Sequence, residues 1–145
     1  MIFLLACTQQ DPISPHTMLR DIAQEHTLPA PEQLDPSYSR IVFSTERSLS
    51  IQERYDDIEI MFESGLWLEK ATNIGAANLT LTQIAIMNYE LSSTKIQLNP
   101  ETSAIVFSSV LDGKSLRKEV LMRRVLTLMK DEEAMRPRIE AALYP

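Results

Sequence analysis

With 145 residues the chain holds one domain's worth of polypeptide, and its 44% apolar content suits a packed core and excludes a wholly disordered chain. A formal net charge of −6 argues against binding a nucleic-acid backbone, which needs a concentrated basic face. The single cysteine, Cys7, excludes an intramolecular disulfide and a cysteine-rich metal site.

Residues 1–14 read as a leader, and residues 15–145 as one domain. The first seven residues are MIFLLAC, and Leu4-Leu5-Ala6-Cys7 resembles the lipobox of bacterial lipoproteins. No Lys or Arg precedes Cys7, and a secretory signal needs a basic n-region, so the signal works only if the true start lies upstream. Two readings stay open: an apolar leader on a cytoplasmic protein, or a tether from lipidated Cys7 to the outer membrane. The second alone implies membrane contact and makes the chain an envelope pilot or adaptor. No stretch approaches the roughly 20 apolar residues of a spanning helix.

Ser14-Pro15 is a helix start, the serine capping and the proline at the first helical position. Met18, Leu19, Ile22 and Ala23 recur at helical spacing, and Leu28-Pro29-Ala30-Pro31 ends the run. From Tyr38 the period becomes two. Ile41 and Phe43 alternate with Arg40 and Ser44, Leu49 and Ile51 with Ser48, Ser50 and Gln52, and Ile58, Ile60 and Phe62 with Asp57, Glu59, Met61 and Glu63, which predicts three half-buried antiparallel strands. Gly65 marks a bulge or bend.

Leu79 and Leu81 alternate like a strand, but Ile84 and Ile86 break that phase. The stripe Ala77, Leu81, Ile84, Asn88 and Leu91 predicts a helix instead. Residues 95–98 lead through Asn99-Pro100-Glu101-Thr102, a type I turn, into an apolar strand over 103–111. Ile105 and Phe107 fall on one face of that strand, Val106 and Val110 on the other, so both faces need covering. Residues 115–144 read as a long helix with Leu116, Val120, Leu121, Val125, Leu128 and Met129 on its apolar side, and Pro137 is expected to kink or split it. The expected fold is α+β, a small antiparallel sheet flanked by helices in the order α-β-β-β-α-β-β-α.

Little in the sequence points to catalysis. His16 and His26 are expected at the surface, and Gly65, Gly75 and Gly113 are too isolated for a phosphate loop. Cys7 has no basic neighbour to activate it. Glu53, Asp56, Asp57, Glu59 and Glu63 read as a wet strand face, and Arg117, Lys118, Arg123 and Arg124 as a wet helix face. Trp67 reads as a core or rim residue, with anchoring of a partner as the alternative. No cofactor or metal is expected, and the chain is read as a binding protein rather than an enzyme.

The element order, the segment LTQIAIMNYELSSTKIQLNPETSAIVFSSVL over 81–111 and LRDIAQEHTLPAP over 19–31 resemble the class I type III secretion chaperones, the Tir-chaperone-like family. The likeness spans about residues 17–144. It lies in a second helix ending at an asparagine-containing turn, a patterned strand, an apolar strand and an amphipathic last helix. The chain departs from the pattern in its longer start, in Leu68-Glu69-Lys70 where the family commonly has Leu-Pro, and in Pro137.

The resemblance implies a protein that binds the N-terminal region of a secreted effector and keeps it soluble and fit for secretion. It implies a homodimer or a pair with a sister chaperone, with an interface of Leu81, Ile84, Met87, Leu91 and Phe107. The effector would wrap in extended form, adding a strand to a sheet edge and entering grooves lined by Leu19, Ile22, Leu28, Ile41 and Phe43.

Overall fold

A computed structural model describes residues 13–145. Helix α1 (Pro15–Glu25) precedes four strands, β1 (Glu32–Asp35), β2 (Tyr38–Val42), β3 (Arg47–Arg54) and β4 (Asp57–Trp67). Helix α2 (Ile74–Glu90), strands β5 (Lys95–Leu98) and β6 (Ala104–Asp112), and helix α3 (Lys118–Leu143) follow. The six strands form one antiparallel sheet in the order β1-β2-β3-β4-β6-β5. The fold class is the α+β arrangement the sequence implies, with one strand more. That strand, β1, lies between Pro31 and Pro36 and is exposed along its length, so it carries no apolar alternation to announce it.

Each helix end has a local cause. The Ser14 hydroxyl oxygen accepts from the Thr17 N–H at 3.2 Å, with Pro15 opening α1. At the other end Thr27 turns left-handed at φ +56°, and the Leu28 N–H donates to the Ala23 carbonyl at 2.8 Å, a Schellman-type stop. Asn73 caps α2 by accepting from the Ala76 N–H at 2.8 Å. Pro137 does not split α3. The bond it removes belongs to the carbonyl of Glu133, which is exposed and open to water, while Ile139, Ala142 and Leu143 beyond it are anchored in the core.

Cross-strand rows build that core. Leu49 sits opposite Phe62, Phe62 opposite Phe107, and Phe107 opposite Ile96. These side chains, with Ile41, Ile51, Ile60 and Ile105, pack against Leu19 and Ile22 of α1 and Leu121, Val125 and Leu128 of α3. One sheet face is thereby sealed, and the other carries Arg40, Gln52, Glu59 and Glu63. Gly65 produces the expected bulge. Its φ is +70°, the β4–β6 register shifts between Glu63 and Trp67, and an added Cβ would meet the Glu46 Cβ at 3.0 Å. The β5–β6 connection runs one residue past the expected turn, with left-handed Ser103 donating its N–H to the Asn99 carbonyl.

Candidate functional site

Among the described residues, two partly apolar surfaces bear on the expected binding and pairing sites. The first is a groove of ≈ 480 Å³ between the β2–β3 turn and α3. Phe43 closes that turn through its N–H, which donates to the Arg47 carbonyl at 2.9 Å, and its ring stacks on Phe62 with centroids 5.6 Å apart. Leu126 and Met129 of α3 form the facing wall. At its edge the Glu132 carboxylate, only 1% exposed, pairs with Arg47 at 3.1 Å and Arg136 at 3.6 Å. The Arg47 guanidinium also lies 5.4 Å from the Phe62 ring centre. A charge buried this deeply is held only if paired, so the pairing ties the β2–β3 turn to α3 and fixes the groove's shape.

The seam between α1 and the strands, where the cargo groove was expected, is closed. Leu19, Ile22 and Ile41 are completely buried there, because the α1 stripe packs directly on the sheet. Of the five expected groove residues, Leu28 and Phe43 alone reach the surface, each half-buried. A further groove of ≈ 740 Å³ opens between the starts of α1 and α3, with Met18 and Leu116 in its lining.

The second surface is the outer side of α2. This helix carries apolar residues on more than one side, and the chain covers one stripe of it, Ala76, Thr80, Ile84 and Met87. Ile74 (82% exposed), Leu81, Ile86 and Tyr89 (94% exposed) are left facing out. The covered stripe is therefore not the expected Ala77–Leu81–Ile84–Asn88–Leu91 line. Of the five expected interface residues, Ile84, Met87 and Phe107 are sealed inside the subunit by α3 and the sheet, Leu81 is exposed and Leu91 is half-buried. On β6, Val106 is buried within the chain and Val110 is more than half exposed.

Polar contacts tie neighbouring elements elsewhere on the fold. Arg138 of α3 donates to Glu90 at the end of α2 at 2.7 Å, which holds the Glu90 carboxyl below its ordinary pKa. The Ser37 hydroxyl and N–H do the same for Asp35. His16 does not point to solvent as expected: its Nδ1 meets the Ser39 hydroxyl at 2.8 Å and ties α1 to β2, while His26 is exposed. Arg124, read as a wet residue, donates to the Ser109 hydroxyl at 2.9 Å and the Val110 carbonyl. Trp67 is half-buried, with the Lys70 ammonium 4.5 Å from its ring centre. Among the described residues no three His, Cys, Asp or Glu side chains gather as metal ligands would, and no helix is long and apolar enough to cross a membrane. Cys7 and its lipobox reading lie outside the described residues.

No family model matches the chain, and no curated protein matches it in sequence. Solved structures do match. A chain of the HopA1–SchA chaperone–effector complex is 13% identical with a TM-score of 0.58, over 86% of this chain and 91% of that one. A chain of the Yersinia pestis type III secretion chaperone SycH in complex with a fragment of YscM2 is 13% identical with a TM-score of 0.53, over 82% and 97%. An uncharacterised protein of Methanothermobacter thermautotrophicus is 12% identical with a TM-score of 0.58, over 87% and 96%. The chain has the fold of the type III secretion chaperones.

Proposed function

We propose that this chain is a secretion chaperone that works without a cofactor, holding an N-terminal segment of a secreted effector in extended form and so keeping it soluble and fit for secretion. The reading is carried by one observation: on a fold shared with secretion chaperones, the chain leaves apolar surface uncovered at the Phe43 groove and along α2. The groove takes apolar side chains of the effector, anchored between Phe43 and Met129 with Leu28 nearer α1. The outer face of α2, through Leu81 with Ile74, Ile86 and Tyr89, pairs with a second copy or a sister chaperone. The assembly acts in the cytoplasm, where the effector is made.

Apolar burial is worth about 25 cal/mol per Å², so a charge placed at the groove floor both removes area and leaves an ion without water. Phe43→Asp is expected to abolish binding of the N-terminal segments of secreted proteins encoded beside its gene, while circular dichroism and oligomer mass stay as in the wild type. Leu81→Glu is expected to split the dimer in light scattering. A Phe43→Asp protein that binds those segments normally, or a wild type that is monomeric at high concentration, counts against this function.

A further inference from the structure

A sheet with free edges is open to pairing by any extended chain, and an antiparallel edge strand presents its outward N–H and C=O at every second residue. In β5 the pairing to β6 turns Lys95 and Gln97 inward, which leaves Ile96 and Leu98 as the outward residues. Ile96 is not free. The Asn88 side chain, on α2, spans both of its backbone groups: Oδ1 accepts from the Ile96 N–H at 2.7 Å, and Nδ2 donates to the Ile96 carbonyl at 2.8 Å. One carboxamide thus occupies the positions a neighbouring strand would use, and of the two outward residues Leu98 alone remains.

We propose that Asn88 is an edge lock that closes β5 to strand addition, so that an incoming chain's backbone can pair with this sheet at β1 alone. The consequence for partners rests on the reading that one binds partly through backbone pairing; the lock itself does not. β1 keeps all four residues exposed, and its carboxylates, Glu32 at 3.6 Å from Arg40 and Asp35 held by Ser37, still leave oxygens that favour a basic segment. The lock also bears on self-association. Two copies present the same β5 edge, and with it closed they meet through the apolar face of α2 rather than by joining their sheets.

Amide exchange of the whole chain tests the lock directly. In the wild type the Ile96 amide is expected to be as protected as those of Lys95 and Gln97, although it makes no bond to β6. Asn88→Ala should speed exchange at Ile96 by about tenfold or more while amides of β3 and β4 keep their protection, and Asn88→Asp, which retains the acceptor, should fall between. Asn88→Ala should also form larger species as concentration rises in light scattering, as the freed edge pairs with another copy's. An Ile96 amide that exchanges freely in the wild type, or is unmoved by Asn88→Ala, overturns the lock. A fast-exchanging Asn88→Ala that keeps the wild-type oligomer distribution overturns its role against edge pairing. A basic peptide whose binding protects β5 rather than β1 amides overturns the assignment of the open edge, whereas no peptide binding at all, with the exchange pattern as expected, counts against the chaperone reading and leaves the lock standing.

Discussion

The Arg47–Glu132 pair gives the sharpest energetic prediction. Arg47→Met keeps an unbranched apolar stem but removes the charge beside a carboxylate that is 98% buried by side-chain area, the arginine itself being 37% exposed. Breaking a buried pair from one side costs about 3–5 kcal/mol, because the remaining ion has no water. Here Arg136 stays at 3.6 Å, which brings the expected loss down to about 2–3 kcal/mol. The lost cation–π contact with Phe62 adds about 0.5–1 kcal/mol. A total near 3 kcal/mol lowers Tm by about 10 °C in a domain of this size. Glu132→Leu should cost much less. It leaves no buried charge, Arg47 can turn to solvent, and Arg136 retains Glu140 at 2.8 Å. The double variant Arg47→Met/Glu132→Leu should therefore recover most of the loss of Arg47→Met. Urea unfolding followed by Trp67 fluorescence gives all four corners of the cycle. A double variant as unstable as Arg47→Met, or an Arg47→Met protein as stable as the wild type, would refute the reasoning.

Two further outcomes follow from local geometry. An added Cβ at Gly113 would lie 2.5 Å from the Asp56 carbonyl oxygen, to which the Gly113 N–H donates at 2.7 Å; Gly113→Ala is expected to cost about 1–3 kcal/mol in urea unfolding, with the losses in amide protection starting at the β3–β4 turn. The Glu90 carboxyl, held below its ordinary pKa by Arg138, lends stability that is present above the ordinary carboxylate range and is lost as pH falls through the lowered folded value. An NMR titration of Glu90 Cδ should show that low midpoint, and Arg138→Ala should raise it; a midpoint indifferent to Arg138→Ala would rule the pair out as its cause.

Much of the fold is legible in one dimension, because each element answers to a local period or a local cap. Alternation marks β2, β3 and β4, Ser14-Pro15 and Leu28-Pro29 bound α1, and Gly65 announces its bulge. β1 escapes notice because four exposed residues between two prolines carry no apolar phase. The site is less legible for a different reason. Leu19, Ile22 and Ile41 are apolar residues at the right spacing to face a sheet, and sequence alone does not say whether a second chain or the chain's own core will cover them. The same holds for Ile84, Met87 and Phe107.

Composition and periodicity by themselves determined that this is a small acidic α+β domain, and which apolar residues share a face of one element. They did so because burial of an apolar face is demanded by a repeat of two or of 3.6 residues wherever that face ends up. The tertiary structure alone decided which apolar residues stay at the surface: it closed the α1 seam, opened the groove at Phe43, and turned Tyr89 rather than Met87 outward. It also paired Arg47 with Glu132 and Asn88 with Ile96. Those contacts depend on how α2 and α3 lie against the sheet, and no spacing within one element records that.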